Sequence, residues 1–175
     1  MTPHDQRSYD QAQSFMRLLQ HPPAAAAVIA GSPHNPAVSG TVHFYQTPLG
    51  VCLLTQIFGL PVSEDPCVKQ IFAFHIHSGD TCSGTVEDPF ADVLTHYNPD
   101  NCPHPQHAGD LAPLFATHSG YAFEILLTDR FSVDEIIGKT IVIHRDPDDF
   151  TTQPSGNAGE KIACGEIQRY RPFRF

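Results

Sequence analysis

The run Ile71-Phe72-Ala73-Phe74-His75-Ile76-His77 decides how this chain is read. Phe, Ile and Ala around two histidines describe an apolar strand. Alternate residues of a strand share a face, so His75 and His77 project side by side, with Phe74 and Ile76 on the opposite face. Two imidazoles held that way form half of a metal site, and imidazole suits copper and zinc. The plainer alternative is a polar pair on a solvated strand face.

The pattern continues downstream. His96, His104, His107 and Asp110 lie in His96-Tyr97-Asn98-Pro99-Asp100-Asn101-Cys102-Pro103-His104-Pro105-Gln106-His107-Ala108-Gly109-Asp110, a loop by its Pro, Asn and Gly content. Three histidines and one aspartate make a complete tetrahedral set of nitrogen and oxygen ligands for zinc. The alternative is a loop whose polar residues simply face water. His144 ends the β-branched run Thr140-Ile141-Val142-Ile143-His144. A histidine at a strand end is usually just solvated; here it is a candidate partner for His75 and His77.

Strands at short spacing are expected over Ala26–Gly31, Gly40–Thr47, Gly50–Phe58, Gln70–His77, Gly120–Thr128, Lys139–His144 and Ala163–Arg169. Thr47-Pro48-Leu49-Gly50 signals a hairpin turn. Many short strands with Gly and Pro turns indicate an all-β sandwich or flattened barrel. Two long segments break the rhythm, Ser78 to Ser119 and Arg145 to Ile162, and loops of such length in a compact domain are usually functional. An added N-terminal helix is expected over Gln6 to Gln20, with Ser8 and Gln11 as a candidate capping box. His21-Pro22-Pro23 stops it. The expected division is a helical extension over residues 1–23 and one β-domain over 24–175.

Composition bounds the rest. The 175 residues, 41% hydrophobic, suffice for a real core. No long apolar run suggests a membrane span. No basic stretch followed by an apolar core opens the chain, so the expectation is no signal peptide and a cytoplasmic location. A net charge of −9 makes nucleic acid and anionic membranes poor partners. The five cysteines are Cys52, Cys67, Cys82, Cys102 and Cys164.

The set of motifs resembles the copper/zinc superoxide dismutases. The matching stretches are Phe74-His75-Ile76-His77, His96-Tyr97-Asn98-Pro99, His107-Ala108-Gly109-Asp110-Leu111 and Ile136-Ile137-Gly138-Lys139-Thr140-Ile141-Val142-Ile143-His144. Asp148-Asp149 and Gly156-Asn157-Ala158-Gly159-Glu160-Lys161-Ile162-Ala163-Cys164-Gly165 follow. They occur in the family's order and cover about Val38 to Gln168. The resemblance implies a Greek-key, immunoglobulin-like β-sandwich and the disproportionation of superoxide to oxygen and hydrogen peroxide by copper redox cycling, with a structural zinc.

It implies a copper site of His75, His77, His96 and His144, and a zinc site of His96, His104, His107 and Asp110. His96 would bridge both metals and, with water, supply protons. Asp148 would accept hydrogen bonds from His75 and His104, as carboxylates that orient metal-bound histidines do. Cys82 would pair with Cys164, closing a loop that stabilises by about 4–5 kcal/mol on the chain-entropy model. Cys52, Cys67 and Cys102 have no family role. The implied substrate is superoxide, a small anion, and a homodimer is a candidate assembly. Lys161 stands where the family usually has Arg, keeping the charge without the planar fork. The loop from Arg145 to Lys161 is shorter than usual, and His104 and His107 are closer in sequence than usual. A copper/zinc-binding module for storage or delivery is the alternative function; a sandwich with an empty site is a third.

Overall fold

The computed structural model describes residues 18, 20–65, 67, 68 and 70–171. The expected N-terminal helix lies outside the described residues except for Leu18 and Gln20. The strands are β1 (Ala25–Gly31), β2 (Ser39–Thr47), β3 (Gly50–Phe58), β4 (Ile71–Phe72), β5 (Phe74–His77), β6 (Leu114–Phe115), β7 (Ala122–Thr128), β8 (Thr140–His144), β9 (Lys161–Glu166) and β10 (Gln168–Arg169). A 3-10 turn covers Ala91–Val93, and a short helix, α1, covers Val133–Ile136.

Alternation shapes these strands. In β1, Ala25, Ala27 and Ile29 are buried while Val28 and Ala30 face out. The Thr47–Gly50 hairpin closes as its turn residues require, with Gly50 at φ +125° and Thr47 Oγ1 donating to the Gly50 carbonyl at 2.9 Å. Sheet order is β5-β8-β9-β1-β2-β3-β7, antiparallel at every pairing. The neighbours β5–β8, β9–β1 and β3–β7 are distant in sequence, which gives the Greek-key crossings.

Inward residues from across this sheet meet in one cluster. Ile29, Phe44, Leu53, Phe74, Ile76, Ile141, Ile143 and Ile162 all belong to it. A flat sheet cannot bring β2 and β5 onto one core, so the sheet curls into a flattened barrel.

The expected strand over Gly120–Thr128 begins at Ala122, and two others are interrupted. Gln70–His77 is split at Ala73, whose N–H turns away to the Asp146 carbonyl at 2.9 Å. The last strand begins earlier, at Lys161, and breaks at Ile167, whose N–H bonds the Lys139 carbonyl at 2.8 Å. The second long loop therefore ends at Glu160 rather than Ile162. Cys82 and Cys164 form a disulfide with Cα atoms 5.8 Å apart. It ties the loop after β5 to β9, beside a small second core of Phe90, Val93, Val142 and Cys164. Cys52, Cys67 and Cys102 are free. No helix among the described residues is long and apolar enough to cross a membrane.

Candidate metal centre

The centre is built on the outer face of β5 and β8. Phe74 and Ile76 point into the barrel, so His75 and His77 must point out of it. They are buried nonetheless, because the long loops fold over them. Strand β8 lies beside β5 in the register His75↔Val142 and His77↔Thr140, which sets His144 at the end of the same outer face.

The first loop reaches the centre by pairing with the free edge of β5. Ile76 donates to the Gly109 carbonyl at 2.9 Å, and Tyr97 donates to the Ile76 carbonyl at 2.8 Å. Gly109 permits that approach; a Cβ there would overlap the Ile76 carbonyl oxygen. Short bridges His75↔Asp110 and His77↔His96 result, and these place His96 and Asp110 over the strand.

Two clusters follow. His75, His77, His96 and His144 form one; His96, His104, His107 and Asp110 form the other. All are buried, and in each cluster the candidate ligand atoms lie within 4.8 Å of one another. His96 belongs to both.

Hydrogen bonds select which nitrogen of each ring stays bare. His77 Nδ1 donates to the Leu94 carbonyl at 3.0 Å and His144 Nδ1 to the Gly159 carbonyl at 3.3 Å. Their Nε2 atoms are thus lone-pair acceptors, and they face each other at 3.3 Å. Asp148 accepts from His75 Nε2 at 2.8 Å through Oδ2 and from His104 Nε2 at 2.9 Å through Oδ1. That leaves Nδ1 of His75 and of His104 bare. Both atoms, and His96 Nε2, are buried without any hydrogen-bond partner. Orphaned buried acceptors are costly, and two facing acceptors repel. A cation among them removes both costs. The donor set of four imidazoles on one side and three imidazoles with a carboxylate on the other fits copper and zinc respectively.

The electrostatics agree. Burial pushes the pKa of His75 down, and that of His77 far down with help from His144. Burial and the neighbouring His75 take His144 down to about 3. These rings are neutral ligands at neutral pH. Burial pushes Asp110 up, but hydrogen bonding to His96 and the charges of His96, His104 and His107 outweigh it, so its pKa falls. Asp148 falls to about 2, because bonds to His75, the Phe150 N–H and His104 overcome its burial. Asp110 also contacts His96 Nδ1 at 2.7 Å, His104 Nδ1 at 3.1 Å and His107 Nδ1 at 3.3 Å.

A cleft of about 440 Å³ opens from solvent onto the first cluster, bordered by His77, His96, His144, Leu94, Ser155 and Lys161. Lys161 sits directly opposite His144 across the β8–β9 ladder. Its ammonium is engaged, donating to Asp88 Oδ2 at 2.7 Å and to the Phe90 carbonyl at 2.9 Å. Glu160, its neighbour in sequence, pairs instead with Arg145.

Some site residues escaped the sequence reading. Gly156, at φ +70°, leaves room for the Asp148–His104 bond, since a Cβ there would overlap Asp148 Oδ1. Arg130 Nη1 donates to the carbonyls of Pro105, His107 and Asp110 at 3.0–3.3 Å and so ties the loop that carries the second cluster. Leu94 offers its carbonyl to His77 from a backbone at φ 63°, ψ −142°. Gly156 stands in a quoted motif; the roles of Arg130 and Leu94 leave no sequence signal.

A curled antiparallel barrel bearing two adjoining histidine clusters that share His96 has the architecture of a metal-binding β-barrel protein. The family model for copper/zinc superoxide dismutase matches residues 38–167, and the chain belongs to that family. It is similar to superoxide dismutase [Cu-Zn] 3 of Arabidopsis thaliana, 34% identical over 161 residues that cover 82% of this chain and 88% of that one. It is 31% identical over 141 residues to the superoxide dismutase [Cu-Zn] of Legionella pneumophila, covering 77% and 80%. The solved Cu/Zn superoxide dismutase from Brucella abortus shares its fold, with a TM-score of 0.69 at 23% identity over 82% of this chain and 99% of that one.

Proposed function

We propose that the chain is an active superoxide dismutase. The observation that carries this reading is His96, which belongs to both clusters: its Nδ1 meets Asp110 at 2.7 Å while its Nε2 is buried without a partner. A single imidazole is common to a cluster of four histidines and a cluster of three histidines and an aspartate. His75, His77, His96 and His144 would hold copper, and His96, His104, His107 and Asp110 would hold zinc. Bound there, copper supplies one-electron redox chemistry, whereas zinc has none and supplies charge and structure.

The protein's own residues do the remaining work. Asp148 fixes the tautomers of His75 and His104 together and so couples the geometry of the two clusters. Carbonyls of Leu94 and Gly159 fix those of His77 and His144. His96 Nε2, buried and bare, is the position from which a proton can be held and handed to a reduced oxygen anion. Turning two superoxide anions into oxygen and hydrogen peroxide takes two protons, and solvent reaching the open cleft would supply the other. Lys161 at the cleft provides positive charge for an anionic substrate.

Metal content by mass spectrometry and superoxide decay test the reading together. One copper and one zinc per chain with rapid decay is expected. His75→Ala protein should keep zinc and lose dismutation; undiminished decay by that variant would remove the copper assignment.

A further inference from the structure

Lys161 is one of only three lysines, with Lys69 and Lys139, and it lines the cleft. Its partner Asp88 is no loose surface group. Asp88 Oδ1 accepts the Phe90 N–H at 3.2 Å while Oδ2 takes the ammonium at 2.7 Å. The Asp88 N–H bonds Thr85 Oγ1 at 3.0 Å, and its carbonyl accepts from Thr85 and Ala91. The carboxylate is therefore preset by its own turn. The turn is preset in its place as well, since Cys82 in the same loop is bonded to Cys164 on the strand that carries Lys161. Two ties join one loop to one strand, and the second points a cation at the cleft.

From this geometry we infer that Asp88 is a positioning residue for anion capture: it holds the Lys161 ammonium at the cleft and offsets part of its charge. The inference rests on the cleft leading to a copper-side anion site, as in the proposed function. The two effects oppose each other and can be separated. Asp88→Asn removes the negative charge, which strengthens the pull on anions, and its one amide oxygen can still accept from the ammonium at the expense of the Phe90 N–H bond. Asp88→Ala removes the charge and the anionic anchor and leaves only the Phe90 carbonyl as a partner, so the ammonium is held more loosely on its flexible stem.

Azide is the probe, titrated into copper- and zinc-loaded protein and read by visible absorption. Asp88→Asn should raise azide affinity about threefold at low salt, the scale of one partly exposed charge, and the gain should shrink as salt is added. Asp88→Ala should gain less than Asp88→Asn. In a Lys161→Gln background the Asp88→Asn gain should fall by at least half. A metal-independent readout accompanies it: in copper-free protein the Lys161 Nζ–H signal by nitrogen-15 NMR should be visible in the wild type and in Asp88→Asn and clearly weakened in Asp88→Ala, where only the Phe90 carbonyl still holds the ammonium. Equal azide affinities in all Asp88 variants, or an Asp88→Asn gain that is the same without Lys161, would overturn the inference. Superoxide decay is scored separately. A protein without turnover that still shows these azide and NMR changes refutes the dismutase reading and leaves the role of Asp88 standing.

Discussion

Glu124 should make the barrel less stable as pH rises, and Glu124→Gln should abolish that loss. On β7, Glu124 shares the inward face with Ala122 and Leu126, which pack on the main core. Its cross-strand partner is Thr55, buried between Leu53 and Ile57 on β3. Glu124 Oε1 and Thr55 Oγ1 are both buried and neither finds a hydrogen-bond partner. Burial alone raises the carboxyl from its usual 4.5 to about 7. The folded state thus holds a proton that the unfolded chain has released. Between about pH 4.5 and 7 the unfolded state binds fewer protons, so stability falls with rising pH across that window and then levels off. Each tenfold change in proton affinity is worth about 1.4 kcal/mol, so the ceiling is about 3 kcal/mol. Glu124 is only half-buried and can lean toward water, which reduces the expectation to on the order of 1–2 kcal/mol.

The assay is urea unfolding of wild type and Glu124→Gln from pH 4 to 8 in one fixed metal state. The residue lies outside the histidine clusters, so metal and histidine terms largely cancel in the difference. The variant should match the wild type near pH 4 and exceed it above pH 7, and in a parallel thermal scan its midpoint temperature should be raised by about 2–4 °C per kcal/mol for a chain of this size. A difference that stays flat with pH would refute the reasoning.

Three further outcomes are expected. Asp110→Ala removes the one carboxylate of the second cluster, so zinc stoichiometry should fall and amide exchange in Ser78–Ser119 should rise; zinc retention with unchanged protection would contradict this. Gly156→Ala places a Cβ against Asp148 Oδ1 and His104 Nε2, so competition with a chelator should show zinc affinity lower by about 10–100-fold, and an unaltered affinity would mean that the Asp148 bridge does not orient His104. Leu94→Gly relieves a backbone conformation that glycine alone adopts readily, and with a side chain 62% exposed there is little packing to lose; thermal unfolding should show about 1 kcal/mol of stabilisation, and a destabilised variant would show that the lip of the cleft needs the leucine.

The barrel was legible because its strands are long, alternating and bounded by Gly and Pro, as in Ser39–Thr47 and Gly50–Phe58. The ligands were legible because metal chemistry restricts residue type, and His75-Ile76-His77 needs only strand geometry to place two imidazoles together. The paired residues Ile71–Phe72 and Leu114–Phe115 are too short for any period to show. Helix α1 was missed although Ser132 and Glu135 form a capping box, because its four residues offer no repeat. Arg130 and Asp88 act on residues 20 to 73 positions away, and only folding discloses such pairs.

The disposition of charge bears on how a chain of net charge −9 could serve an anionic substrate. The first cluster contains no carboxylate; its four members are imidazoles. The two buried carboxylates lie behind it. Asp148 touches His75 at Nε2, the side of the ring away from the bare Nδ1, and Asp110 touches His96 at Nδ1, away from the bare Nε2. In front, the cleft offers the Lys161 ammonium, with Asp88 nearly half exposed to water and so well screened. Under the proposed function, a cation held by the first cluster would meet negative charge among its ligands only at the shared His96, while the carboxylates that orient those ligands stay on the side away from the cleft. An approaching anion then meets a local positive field over the last Debye length, and the wider negative surface acts only at longer range, where salt screens it.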